Sequence, residues 1–330
     1  MNDDLEVLIP LMKRKGVKLT KEDFHKELNI VFHNIEASTY DLIHSDMNSS
    51  LQEQFNLLAN DILADRPPTK NAWRILDVGC GTGLSMEKLL ASNLKSNIAS
   101  VQLLDTSSEM LKQCDQKAKT WNVDYAIVEG DIFLLTKKKE FDVILICSVL
   151  HHIPNLTIFF DQISKILKSG GYLIHLQDPN GDYLSSPEYT ARLKTIVDQS
   201  PAKKKSLRKL LSPYLRRIKR IFHVGNLDHI DKVNDELIKR NIVQSPLLAN
   251  EIWSVTDIHV EDLPFSTNRG ISSKELAQIL TGYTIIKRRS YGFFGRLKSD
   301  LPEQLKSVED GLIERVDVSG RQLAWVWKKN

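Results

Sequence analysis

Arg74-Ile75-Leu76-Asp77-Val78-Gly79-Cys80-Gly81-Thr82-Gly83 is a short apolar run that ends in three alternate glycines. Ile75, Leu76 and Val78 have the character of a buried strand, and Asp77 puts a carboxylate just before the bend. Gly79 and Gly81 lack a Cβ. The chain can therefore turn sharply there and bring bare backbone N–H groups against a ligand at a helix N-terminus. Gly83 opens a helix over residues 84–90. By itself this strand–turn–helix predicts a nucleotide-like ligand.

The same unit repeats outward along the chain. Residues 100–105 form a second apolar strand ending in Asp105, an acid placed to accept hydrogen bonds from both hydroxyls of a ribose. Residues 124–129 give a third strand, followed by Gly130-Asp131-Ile132. Asp131 can accept from an exocyclic amine, with Ile132 against the ring. Residues 141–150 are a continuous apolar run, as expected of a strand covered on both faces, and lead to His151-His152-Ile153-Pro154. A helix over 156–167 is expected to stop at Gly170-Gly171, where glycine suits a left-handed turn. Residues 172–178 read as a fifth strand ending in Asp178. Every marked residue falls at the carboxyl end of a strand, the edge where doubly wound sheets bind ligands.

In order and spacing, five elements together resemble the class I S-adenosylmethionine-dependent methyltransferases. They are the Asp77-x-Gly79-x-Gly81-x-Gly83 turn, Asp105, Gly130-Asp131, the Phe141-Asp142 strand with Leu150-His151-His152, and Gly170-Gly171. The resemblance covers residues 70–180 and is fainter on either side. It implies a Rossmann-like, doubly wound α/β sheet of seven strands, mostly parallel with the last strand antiparallel. It also implies S-adenosyl-L-methionine as cofactor. By position, Gly79, Cys80, Gly81 and Gly83 would hold its methionine end, and Asp105 its ribose, with Thr106 and Met110 nearby. Asp131 and Ile132 would bind its adenine, and Cys147, Ser148 and Val149 would line the methyl-donor side. A nicotinamide-dependent dehydrogenase also uses glycines and an acid after the second strand. Its fingerprint is G-x-G-x-x-G, whereas this chain has G-x-G-x-G, and Gly130-Asp131 has no place in that pattern.

At 330 residues the chain is about twice the usual domain length, so additions to a minimal core are expected. A hydrophobic content of 42% is enough for a sizeable core. The formal net charge of +3 does not by itself point to nucleic acid. Cys80, Cys114 and Cys147 are far apart and form no C-x-x-C pair, which supports neither a disulfide framework nor a zinc site. No metal-ligand spacing is evident. The start lacks the basic region of a signal peptide, and no apolar run approaches the ~20 residues of a membrane span. A cytoplasmic protein with reduced thiols and no transmembrane segment is the expectation.

Residues 1–65 are expected to form an N-terminal helical cap. It comprises an apolar stretch over 5–12 broken by Pro10, a helix over 21–33 capped by Thr20, and an amphipathic helix over 50–63. Between the helices lies Ala37-Ser-Thr-Tyr40-Asp41. An A-x-x-Y-D segment precedes the core in many small-molecule methyltransferases, which implies that Tyr40 touches cofactor or substrate; packing at a helix end is the alternative. Residues 66–180 would be the cofactor-binding core. Residues 271–330 would complete it with a helix at 272–280, opened by a Ser272/Glu275 capping box, and strands over 283–289 and 322–327. The intervening 181–270 is too long for bare loop. It is expected to be a helical insertion over the carboxyl edge, a substrate lid, with helices at 188–197, 206–222 and 232–240.

Within the insertion, Lys203, Lys204, Lys205, Arg208, Lys209, Arg216, Arg217, Lys219 and Arg220 form a basic stretch without acids, interleaved with leucines. Three readings stay open: a solvated helix face, a site for an anionic substrate or for peripheral contact with an anionic membrane, and nucleic-acid contact. The absence of an aromatic platform speaks against nucleic acid.

Moving a sulfonium-bound methyl group needs alignment rather than a covalent enzyme intermediate. An oxygen, nitrogen or carbon acceptor must also lose a proton, so a general base helps. His152, after the fourth strand, and His259, in the insertion, are the candidate bases; a structural role is the alternative for each. The expected function is methyl transfer to a small or medium organic molecule, of the kind met in biosynthesis. The alternatives are an RNA or protein methyltransferase, or a non-catalytic cofactor-binding module. Against the nucleic-acid reading, the fourth strand ends Ser148-Val-Leu-His151 and not in the Asn/Asp-Pro-Pro-aromatic motif of many amine-methylating enzymes.

Overall fold

Alternation along the strands sorts the apolar residues onto two faces of one sheet. In the computed structural model, which describes residues 4–66, 72–183, 186–199, 227–260 and 270–330, seven strands form that sheet. They are β1 (Trp73–Val78), β2 (Ile98–Asp105), β3 (Asp124–Glu129), β4 (Phe141–Cys147), β5 (Leu167–Pro179), β6 (Tyr283–Tyr291) and β7 (Gln322–Lys329). Their order is β3-β2-β1-β4-β5-β7-β6. β1 to β5 pair in parallel, and β7 lies antiparallel between β5 and β6. This is the expected α/β architecture, with the reversal at the last strand.

Ile75, Leu145, Ile174 and Val326 face one core, where α4 (Asn48–Asp65), α5 (Leu84–Leu90), α6 (Ser108–Ala118) and a late helix, α12 (Glu303–Glu314), cover the sheet. Leu76, Ile144, Leu173, Leu323, Trp325 and Trp327 face the other, covered by α7 (Leu156–Ile166) and α11 (Ser273–Ile279). A third core lies off the sheet. It joins α1 (Ile9–Lys15) and α2 (Lys21–Glu36) to α9 (Leu227–Lys239) and α10 (Ala249–Thr256) of the insertion, around Phe24, Leu28, Phe32, Leu237 and Trp253. Thr20 caps α2 as expected, accepting from the Asp23 amide at 3.1 Å.

The insertion leaves and returns through one neck. Asn180 bridges Ile271, and Gly181 lies so close to Gly270 that a Cβ on it would meet the Gly270 carbonyl at 2.6 Å. Its described parts do not pack as one lid. α8 (Pro187–Gln199) joins the sheet side, where Arg192 bonds Ser319 and stacks on Phe293, whereas α9 and α10 join the N-terminal helices. The basic stretch 203–220 and the expected helix at 206–222 lie outside the described residues.

Two local expectations need correction. α7 ends at Ile166 with an extended Leu167, so Gly170-Gly171 turns the chain within the start of β5 and does not stop the helix. The Ser272/Glu275 capping box does not form. Asp182 at the neck takes that place, accepting from the Ser273 amide at 3.1 Å and from the Ser272 hydroxyl at 3.3 Å.

His175, in the middle of β5, is fully buried and neither ring nitrogen has a hydrogen-bond partner. Burial pulls its pKa from 6.5 to about 4, against a smaller opposing pull from Asp178. The unfolded chain therefore takes up a proton here before the folded one does. Stability is complete above pH 6.5 and is lost as pH falls toward 4, by up to about 3 kcal/mol. The melting temperature should drop between pH 7.5 and pH 5, and His175→Leu should shrink that drop. An unchanged drop in the variant would contradict the assignment.

Candidate cofactor and acceptor site

The turn after β1 is built by left-handed backbone. Gly79 and Gly81 have φ of +65° and +54°. At Gly79 a Cβ would stand 2.5 Å from Val149 Cγ2, whereas at Gly81 it would meet nothing within 4 Å. Gly81 thus borders open space, and its amide donates to Asp105 Oδ2 at 2.8 Å. The Ser107 amide donates to Asp105 Oδ1, also at 2.8 Å. Burial raises the Asp105 pKa, and these backbone donors act the other way. A carboxylate has about four lone-pair sites, so Asp105 keeps capacity for further donors. Asp77 lies beneath the turn, completely buried. The Ser85 hydroxyl donates to it at 2.7 Å, and burial pushes its pKa up to about 7.

A cavity of about 430 Å³ runs along this edge. Tyr40, Gly79, Cys80, Gly81, Asp105, Thr106, Met110, Asp131, Ile132, Cys147, Ser148, Val149 and His152 all border it, so the fold gathers these sequence candidates along one wall. Gly83 is not among the bordering residues. It caps α5 at φ +85°, where a Cβ would strike Cys114 Sγ at 2.9 Å; its smallness serves helix packing. Nor does His259 reach the cavity. It is 1% exposed, and its Nε2 lies 2.9 Å from the Ile153 carbonyl, behind the wall.

The N-terminal helices contribute more than the sequence suggested. Glu22, His25, Lys26, Asn29 and His33 of α2 border the cavity. Lys26 pairs with Asp131 at 2.9 Å, and Asn34 Oδ1 accepts from the Ser107 hydroxyl at 2.7 Å. The helical periodicity of α2 announced a buried face but not what it would cover. Next to Tyr40, Asp41 accepts from Thr82 of the glycine turn at 2.6 Å, which fastens the short helix α3 (Tyr40–Ile43) to the loop.

Beyond β4 the cavity meets a cluster of histidines and acids. His151 Nδ1 lies 2.8 Å from Asp178 Oδ1, which also accepts the His151 amide at 3.2 Å. His152 Nδ1 lies 2.6 Å from the Thr256 carbonyl and 3.3 Å from Asp257 Oδ1. A carbonyl only accepts, so this nitrogen carries the proton. The His33 ring meets His152 edge-on at 5.3 Å. Burial pushes the Asp257 pKa up to about 6, opposed by His151 and His33. Among the described residues, His151, His152 and Asp257 have ligand atoms within 4.8 Å of one another, a grouping that no sequence spacing could reveal.

Residues 76–175 match the family model described as a methyltransferase domain. Over that segment the chain is similar to methyltransferase domains, and its strand order and glycine turn agree with the resemblance to the class I S-adenosylmethionine-dependent enzymes. Over 106 residues the chain is 31% identical to a ubiquinone biosynthesis O-methyltransferase of Pelagibacter ubique, covering 32% of this chain and 42% of that protein. Over 106 residues it is 33% identical to a malonyl-[acyl-carrier protein] O-methyltransferase of Ilyobacter polytropus, covering 32% and 39%. The chain thus spans about two fifths of each of these relatives. Among solved structures it is similar to the plantazolicin methyltransferase BpumL in complex with SAH, at 16% identity and a TM-score of 0.44 over 94% of this chain and 99% of that one. It is also similar to geranyl diphosphate C-methyltransferase of Streptomyces coelicolor, at 10% identity and 0.43, over 83% and 79%.

Alanine at Gly79 or at Gly81 adds about 1 kcal/mol or more of left-handed strain. Only Gly79→Ala adds a clash. Thermal unfolding should find Gly79→Ala the more destabilised, and Val149→Ala in the same chain should recover part of the loss. Equal shifts for the two glycines would contradict the geometry.

Proposed function

We propose that this chain is an S-adenosylmethionine-dependent methyltransferase that methylates a small or medium organic molecule. One observation carries the reading. Asp105, fixed by the Gly81 amide, and Asp131 border a single cavity that continues past β4 to a histidine with a defined tautomer. The donor set fits the cofactor: two carboxylates for hydroxyls and an amine, and a turn in which Gly81 leaves open space.

In this reading Asp105 holds the ribose hydroxyls, Asp131 and Ile132 the adenine, and the Gly79–Gly81 backbone the methionine end, with Tyr40, Thr106, Met110, Cys147, Ser148 and Val149 around them. When bound, the cofactor supplies a sulfonium-activated methyl group that a nucleophile displaces in line. The chain's own contribution is orientation and exclusion of water, which can be worth about 7–11 kcal/mol. His152, its Nδ1 held at the Thr256 carbonyl, is the residue that takes the acceptor's proton. His151, tied to Asp178, is a second proton-holding group beside it. Burial keeps the Cys147 thiol protonated, so it is a wall and not a nucleophile.

Among the described residues, no helix is long and apolar enough to cross a membrane. The free cysteines favour a reducing compartment, the cytoplasm. The basic segment 203–220 is the sequence feature that would favour an anionic group on the acceptor.

Calorimetry should show one S-adenosylhomocysteine bound per chain, with Asp105→Ala weakening it about tenfold or more. With tritiated S-adenosylmethionine and a panel of phenols, quinols and acyl thioesters, His152→Ala should lower transfer about a hundredfold while S-adenosylhomocysteine affinity holds. No binding by the wild type would defeat the cofactor reading; full turnover in His152→Ala would defeat the base.

A further inference from the structure

Read in strand order, the cavity wall divides its chemistry. Asp131 follows β3, Asp105 ends β2, the glycine turn follows β1, and the histidines follow β4. One strand further, at the end of β5, the bordering residue is Gln177. The adenosine acids lie on the other side of β4, so Gln177 is on the side left for the acceptor.

Two features set Gln177 apart. Its backbone is left-handed, φ +66°, and Ser148 at the end of neighbouring β4 has φ +60°. Glutamine has no local preference for that region, so its surroundings hold it there. With its amide oxygen and nitrogen exchanged, Gln322 would donate to the Asp178 carbonyl at 3.0 Å and to the Gln177 carbonyl at 3.3 Å. The second feature is the side chain. The buried Tyr291 hydroxyl donates to Gln177 Oε1, and Gln177 Nε2 faces Met47 Sδ at 3.2 Å. Tyr291 is held protonated by burial. A thioether accepts weakly and donates nothing, so the opposite amide orientation would leave Oε1 without a donor. The amide is thus locked with its N–H groups toward the cavity side that Met47 also borders, and its present partner there is a poor one.

We propose that Gln177 is an acceptor-binding residue. It donates from Nε2 to an oxygen of the methyl acceptor, on the carbon beside the hydroxyl whose proton the histidine cluster takes. Asp178, the next residue, holds His151, which keeps amide and base within one small molecule's reach. Tyr291 is its positioning residue, and Met47 fills the acceptor's place when none is bound. The acceptor class is a molecule with two neighbouring oxygens. This rests on the cofactor reading above.

The probes are 1,2-dihydroxybenzene and phenol, titrated calorimetrically into the chain saturated with S-adenosylhomocysteine. The wild type should prefer the diol about tenfold, the worth of one good hydrogen bond. Gln177→Met and Tyr291→Phe should bring the ratio of the two affinities close to one, with S-adenosylhomocysteine affinity unchanged. Tyr291→Phe keeps the test alive if Gln177→Met does not fold, and a ratio is not moved by a general loss of stability. A wild type that binds neither probe, or binds both equally, overturns the proposal, as does a preference that survives in both variants. Failure of S-adenosylhomocysteine itself to bind would instead defeat the underlying cofactor reading.

Discussion

The hydrogen bond from the Gly81 amide to the Asp105 carboxylate joins the turn after β1 to the end of β2. That turn carries three left-handed glycines in five residues, and the Gly79 and Cys80 amides also hold it, on the Leu104 carbonyl. The carboxylate fixes it in the form that leaves Gly81 beside open space. The same acid accepts from the Ser107 amide at the start of α6, so together with the Gly79 and Cys80 amides on the Leu104 carbonyl it ties the turn, β2 and α6 together. Cofactor geometry, the floor under Val149 and the approach to the histidines all follow from where this turn is held.

Above that floor, the cover is assembled from distant parts of the chain. α2 lies over the cavity, while α9 and α10 of the insertion brace α2 through the third core. The histidine cluster draws on the same elements: His33 from α2, His151 and His152 after β4, Asp178 from β5 and Asp257 after α10. One set of elements therefore covers the cavity and carries the histidine cluster. The Lys26–Asp131 pair is half exposed, so breaking it costs about 1 kcal/mol or less. The cover can thus yield beside Asp131 without disturbing the histidine cluster.

The strands and their carboxyl ends were legible because each carries a local signature: an apolar run, then a glycine or an acid. Asp105 and Asp131 needed no knowledge of the rest of the chain. Lys26, Asp257 and the His151–Asp178 pair were not legible, because their partners lie 27 to 105 residues away and surface or capping roles look the same in sequence. Gln177 gave no signal at all, since glutamine does not mark left-handed backbone. Gly83 and His259 failed in an instructive way. Each has the residue type the chemistry wants, yet packing against Cys114 in one case and behind Ile153 in the other decides its use. At Ser272 the side chain turns to Asp182 of the neck instead of capping its own helix, a contact 90 residues away in sequence.

The central claim is that the turn and the acids of β2 and β3 hold an adenosyl cofactor with its sulfur toward the histidine side. A crystal structure of the chain with S-adenosylhomocysteine tests it most directly. The account requires both ribose hydroxyls on Asp105, the adenine amine on Asp131 and the sulfur near Ser148. A ribose away from Asp105, or a ligand lodged outside this cavity, would contradict it.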